Sequence, residues 1–271
     1  LNGAIIRKLI RDSLPLFAIV IIGVLVLETL IVGVFTELAD DLQNVLLGTA
    51  FIRRFVTTIL GAEIGDQLSA TGMMAFGFAH PVLYALTWAF IITTVTRELV
   101  GQIERGTFDL VLTLPVSRMS VYNSVTVVWL AAIVALSVAP LLGTWAGHSF
   151  FDVKESADFG RLTMVSVNLF ALNVGIGGGV MLASSICNRR GIAIGVVLGM
   201  LLGSFVLNFL ATLSQTARHV SALGVLHYYR PLVVIRETGW PWWDLGVLVG
   251  VGIICWVIGA LRFVTRDIHA V

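Results

Sequence analysis

Residues 14–35 read LPLFAIVIIGVLVLETLIVGVF, an apolar run whose one charged side chain is Glu28. A helix rises about 1.5 Å per residue, so about 20 apolar residues cross the roughly 30 Å hydrocarbon core of a bilayer. Five more runs follow, over 73–96, 121–146, 162–186, 191–213 and 245–264. Composition agrees, with 58% apolar residues, 12% charged residues and a mean hydropathy of +0.97. A soluble domain carries about 25% charged residues. The pattern predicts an all-α membrane protein with six transmembrane helices, forming one domain over 1–271.

Six spans put both termini on one side. Arg7, Lys8, Arg11, Arg97, Arg105, Arg118, Arg189, Arg190, Arg262 and Arg266 then share that side, most of them beside span ends. Arg53, Arg54, Lys154, Arg161, Arg218, Arg230 and Arg236 are spread over longer segments on the other side. The positive-inside bias therefore assigns the termini to the cytosol. Residues 1–13 place Ile5, Ile6, Leu9 and Ile10 on one helical face and Arg7, Lys8 and Arg11 on the other, which predicts an interfacial helix lying flat before a retained first span. Leu42, Val45, Leu46, Ile52 and Ile59 recur at helical spacing around Arg53 and Arg54, so an external amphipathic helix is expected over 37–71. The tyrosines, histidines and tryptophans of 214–243 suit short helices at headgroup level. A net charge of +1 and two lysines give no footing for nucleic acid. Cys187 and Cys255 lie in or beside apolar runs, where a thiol behaves as a small hydrophobe.

Between the second and third spans, residues 97–118 read RELVGQIERGTFDLVLTLPVSR. Gly106 suits the end of one helix, Thr107 can cap the next with Asp109 in its first turn, and Pro115 stops it. Leu110, Leu112 and Leu114 can embed such a helix, leaving Glu98, Glu104, Arg105, Asp109 and Arg118 to meet a partner. The alternative is a polar loop that only joins two spans.

This stretch resembles the coupling segment of ABC-2 transporter permeases, whose pattern is E-x-G-T-x-E/D-x-L-L-x-x-P-x-S/T-R. The resemblance implies that Glu104, Gly106, Thr107, Asp109, Pro115, Ser117 and Arg118 form a cytosolic coupling helix seated on a separate ATP-hydrolysing subunit, with Glu98 at its approach. Asp109 stands where glutamate is commoner, and Val111 where leucine is usual. Phe78, His80 and Pro81 before the second span, LHYYRP at 226–231 and RFVTRDI at 262–268 also resemble the family, so the likeness runs over nearly the whole chain. It implies a prokaryotic plasma (inner) membrane, two ATPase subunits and a second permease, as homodimer or related chain. No phosphate-binding loop G-x-x-x-x-G-K-S/T is present, because Lys8 follows Arg7 and Lys154 follows Val153. ATP and Mg²⁺ thus belong to the partner, and no residue here is expected to be catalytic or to hold a cofactor or metal.

Gly191, Gly195, Gly199 and Gly203 recur every fourth residue, a smooth stripe for close helix contact. It can serve a permease dimer or packing within the chain. Gly175 with Gly179, and Gly246 with Gly250, repeat the spacing. Glu28, Asn168, Asn173 and Asn208 are polar residues inside spans, each a candidate for a translocation path or for a hydrogen bond to a neighbouring helix. His80, His148, His219 and His227 lack metal-ligand helical spacing, and Gly147-His148-Ser149 lacks the following glycine of an intramembrane serine protease. The expected function is ATP-coupled substrate export or conformational work across the membrane. The competing classes are an ATP-independent secondary transporter, for which internal repeats and paired intramembrane charges are expected, and a scaffold or force-transmitting subunit acting on an extracytoplasmic partner.

Overall fold

The computed structural model describes residues 2–48, 70–106, 116–153, 156–211, 219–237 and 239–266. They form helices and no strand. In chain order these are α1 (Gly3–Gly48), α2 (Ala70–Phe78), α3 (Pro81–Glu98), α4 (Val100–Glu104), α5 (Arg118–Phe150), α6 (Phe159–Ile186), α7 (Arg190–Ala211), a 3-10 turn (Val225–Tyr228), α8 (Pro231–Arg236) and α9 (Trp242–Thr265). Six spans result, with α2 and α3 sharing the second. The chain has the architecture of a multi-pass helical membrane protein. Both termini lie at one end of the bundle: the Asn2 amide donates to Ser124 Oγ near the start of α5, and Arg118 reaches the last residues of α9.

The start of the chain differs from expectation. The amphipathic helix over the first residues is present, with Leu9 buried and Arg7, Lys8 and Arg11 exposed, but it continues without a break into the span. Pro15 sits inside α1 and removes the amide that would bond to the Arg11 carbonyl. The neighbouring Asp12 carbonyl instead accepts from Arg97 Nη1 at 3.1 Å, and Ser13 Oγ donates to the Leu9 carbonyl at 2.7 Å. Side-chain bonds thus brace the turn around Pro15, and the helix runs on. Of the external helix expected over 37–71, α1 covers the part up to Gly48; Arg53, Arg54, Ile52 and Ile59 lie outside the described residues.

The second span is the other correction. Read from hydropathy as one helix over 73–96, it is two, because Pro81 has no amide for the Gly77 carbonyl and starts a new helix at its own first position. His80 caps α3, its Nδ1 accepting from the Val82 amide at 3.3 Å. α6 occupies the centre: 72% of its apolar window is buried, against 22% for α7 at the periphery.

Helices close on one another at glycines. A Cβ on Gly178 of α6 would lie 2.2 Å from the Gly252 carbonyl oxygen of α9, and one on Gly252 would lie 2.7 Å from the Val174 carbonyl. Gly175 and Gly259 sit in the same crossing. Between α1 and α5, Cβ atoms on Gly143 and Gly147 would meet Glu28 Cβ and Val32 Cβ, each at 2.6 Å. Gly179, Gly246 and Gly250, grouped with Gly175 by spacing alone, have nothing within 4 Å of a Cβ.

Candidate functional site

Helix ends at the termini side leave carbonyls and amides without helical partners, and charged side chains satisfy them. Two clusters result. In the first, Arg97 at the end of α3 pairs with Glu98 (Nε to Oε1, 2.6 Å) and reaches the Asp12 carbonyl of α1. Gln102 of α4 donates to the other oxygen of Glu98 at 3.4 Å. Glu104, the last residue of α4, accepts from the Arg190 amide at 2.9 Å and so caps the start of α7, where an anion also suits the helix dipole. Arg190 closes the ring by donating from Nε to Thr96 Oγ1 at 3.2 Å. Helices α1, α3, α4 and α7 are thereby tied together.

The second cluster ties α5, α6 and α9. Arg118, first residue of α5, donates to the carbonyls of Val264 and Arg266 at the end of α9. Arg266 donates to the Ser185 carbonyl at 3.2 Å, near the end of α6, and to Asn188 Oδ1. Cations at helix C-termini meet both the free carbonyls and the negative end of the dipole. The chain between 106 and 117 leaves the first cluster and enters the second. Gly106 takes φ +66°, the left-handed conformation that ends a helix at glycine, as its position in the sequence predicts. Ser117 caps α5, its Oγ accepting from the Ser120 amide at 3.2 Å. Thr107, Asp109 and Pro115 lie outside the described residues.

The sequence offers Glu98, Glu104 and Arg118 as charges for a partner, and in the structure each bonds within the bundle. Arg97, Thr96, Arg190 and Arg266 complete the clusters. Their signal in the sequence is position: basic residues within a turn of span ends at 97, 190 and 266.

Two of the interior asparagines bond across helix contacts. Asn173 Nδ2 donates to Ser137 Oγ at 3.3 Å, and Asn168 Nδ2 reaches the Tyr228 carbonyl at 3.4 Å, both across helix contacts. Asn208 lies half-buried on α7. Glu28 is 1% exposed, between α2 and α5, and neither of its oxygens has a hydrogen-bond partner among the described residues. The stripe of Gly191, Gly195, Gly199 and Gly203 is exposed along α7 with nothing within 4 Å of a Cβ at any of the four. Packing among the described residues does not use it.

At the opposite end, Tyr229 is buried and donates to the Phe78 carbonyl of α2 at 2.9 Å. Burial holds its hydroxyl well above the ordinary tyrosine range, and Tyr84 and Glu28 push it in the same direction, so it remains a donor. Arg230 pairs with the buried Asp244 in the first turn of α9 (Nη2 to Oδ2, 2.9 Å). Burial lowers the pKa of His227, Arg230 lowers it further and Asp244 opposes both. Replacing Asp244 by alanine leaves Arg230 without its counter-ion. Removing one partner of a fully buried pair costs about 3 to 5 kcal/mol, and the partial exposure of Arg230 reduces this to about 2 kcal/mol. A lower unfolding midpoint for Asp244→Ala in detergent, with Asp244→Asn in between, is the expected result; equal midpoints for all three proteins would show that the pair does not hold α9 to the preceding loop.

No protein-family model matches the chain, and no curated protein matches it.

Proposed function

We infer that the chain is the membrane subunit of an ABC-2 type transporter, with both termini cytosolic, in a prokaryotic plasma membrane. A separate ATPase, in two copies, binds ATP and Mg²⁺ and docks on residues 97–118. The observation that carries this reading is the placement of that segment: Gly106 and Ser117 open and close it at the termini end of the bundle, and its two flanks hold different groups of helices. A docked partner that moves the segment has purchase on both groups. The resemblance of 104–118 to the coupling motif supplies the partner's chemistry. The exposed glycines of α7, which no described residue packs against, support pairing with a second permease. The cycle alternates between conformations and performs substrate export or mechanical work across the membrane.

Gentle purification from native membranes should bring down an ATPase in stoichiometric amount. Asp109→Lys should abolish that co-purification while leaving the melting temperature of the membrane subunit unchanged. Recovery of no nucleotide-hydrolysing protein with the unaltered chain would overturn the assignment. Undiminished capture by Asp109→Lys would remove residue 109 from the docking surface.

A further inference from the structure

Glu28 has no place in the coupling segment, and its surroundings are unusual for a carboxyl group. It lies in α1 thirteen residues beyond Pro15, inside a span, with 1% of its surface exposed and, among the described residues, no donor to either oxygen. Two glycines make room for it. A Cβ on Gly77, in the last turn of α2, would stand 2.1 Å from its Oε2, and one on Gly143 of α5 would stand 2.6 Å from its Cβ. Any larger residue at either position would evict the side chain or part the helices.

α2 stops one residue after Gly77, inside the bundle, because of Pro81. A helix that ends there turns its carbonyls and the negative end of its dipole toward the interior. Tyr229 satisfies the Phe78 carbonyl, and the Gly77 carbonyl accepts from the His80 amide at 3.0 Å. No hydrogen bond from the described residues relieves Glu28. A carboxyl group and a helix C-terminus, both sources of negative potential, thus share a buried place where the charged form lacks the partner that burial demands. Interrupted helices that end at membrane depth beside acidic groups are a known physical solution for holding small cations.

We propose that Glu28 and the C-terminal turn of α2 form an intramembrane site for one monovalent cation, a proton or an alkali-metal ion, taken up and released as the bundle changes conformation. The site requires only this chain and stands independently of any ATPase. The titratable group facing it from the loop side is Tyr229, with Tyr84 of α3 behind at a ring distance of 6.0 Å. His80 lies at the end of α2 against Phe76. α2 and α5 themselves present glycine to the carboxyl.

The test uses the purified full-length chain in nanodiscs. One arm replaces choline by Na⁺ at constant ionic strength and reads the unfolding midpoint. A rise of several degrees in the unaltered chain that disappears in Glu28→Gln identifies an alkali ion. The other arm records the infrared carbonyl stretch of protonated carboxyl groups during a pH titration, with Tyr229→Phe as a control for tyrosine bands. A band that moves with pH and is missing from Glu28→Gln identifies a proton. If Glu28→Gln does not fold, Glu28→Asp is measured instead, where a shifted band or a weakened Na⁺ effect is expected. The proposal is overturned if the unaltered chain shows neither the Na⁺ effect nor the band, or if both survive unchanged in the variants.

Discussion

Replacing Gly178 by leucine should leave almost no folded protein. A Cβ at that position falls 2.2 Å from a backbone carbonyl oxygen of Gly252, and no rotamer change relieves a clash between backbone and Cβ. α6 and α9 must separate. α6 is the most buried helix, so the separation reaches the centre of the bundle. Overpacking costs about 1 to 3 kcal/mol where side chains can adjust, and more where backbone must move. Gly178→Ala should already lower the unfolding midpoint in detergent by several degrees, and Gly252→Ala likewise. Gly199→Ala on α7, where a Cβ meets nothing within 4 Å, should change the monomer's stability by less than about 0.5 kcal/mol. Equal midpoints for Gly178→Ala and Gly199→Ala would refute the close crossing.

The second large effect is expected at Arg118. It donates to two carbonyls at the end of α9, and hydrogen bonds from charged groups are worth about 1.5 to 3 kcal/mol each. Arg118→Ala should release the end of α9 from the start of α5, and Arg266→Ala should release it from the end of α6, while the glycine crossing of α6 and α9 stays closed. If the proposed ATPase is the partner, both variants are expected to retain it and to lose at least tenfold in the response of ATP turnover to the membrane subunit. Both bonds come from Nη1, so lysine at 118 should restore part of that response: its ammonium can donate to the same carbonyls, on a shorter and differently shaped side chain. Loss of the ATPase itself from Arg118→Ala, at unchanged thermal stability, would make Arg118 a docking contact and remove its role as a clamp.

Spans were legible because crossing a bilayer leaves a length signature that no tertiary contact can erase. Gly106 was legible too, since a helix stop at glycine is local chemistry. What escaped depended on partners. The break at Pro81 lies in an unbroken apolar stretch, where hydropathy averaging registers oiliness and not a missing amide. The glycines of α7 show the more regular spacing, yet Gly178 and Gly252 make the contacts, because the face a helix buries is chosen by its neighbours. Arg118 reads as a charge offered to solvent until the end of α9 is placed beside it. Glu28 was visible as a misfit in its span; Gly77 and Gly143, which seat it, come from segments 49 and 115 residues away along the chain.

The unbroken course of α1 runs past Pro15 as one long strut. From there to Gly48 the helix extends about 50 Å. Near its start the Arg97 guanidinium holds the Asp12 carbonyl, and farther along Glu28 and Val32 press on Gly143 and Gly147 of α5. Any movement of α1 is therefore shared with α5 along that seam.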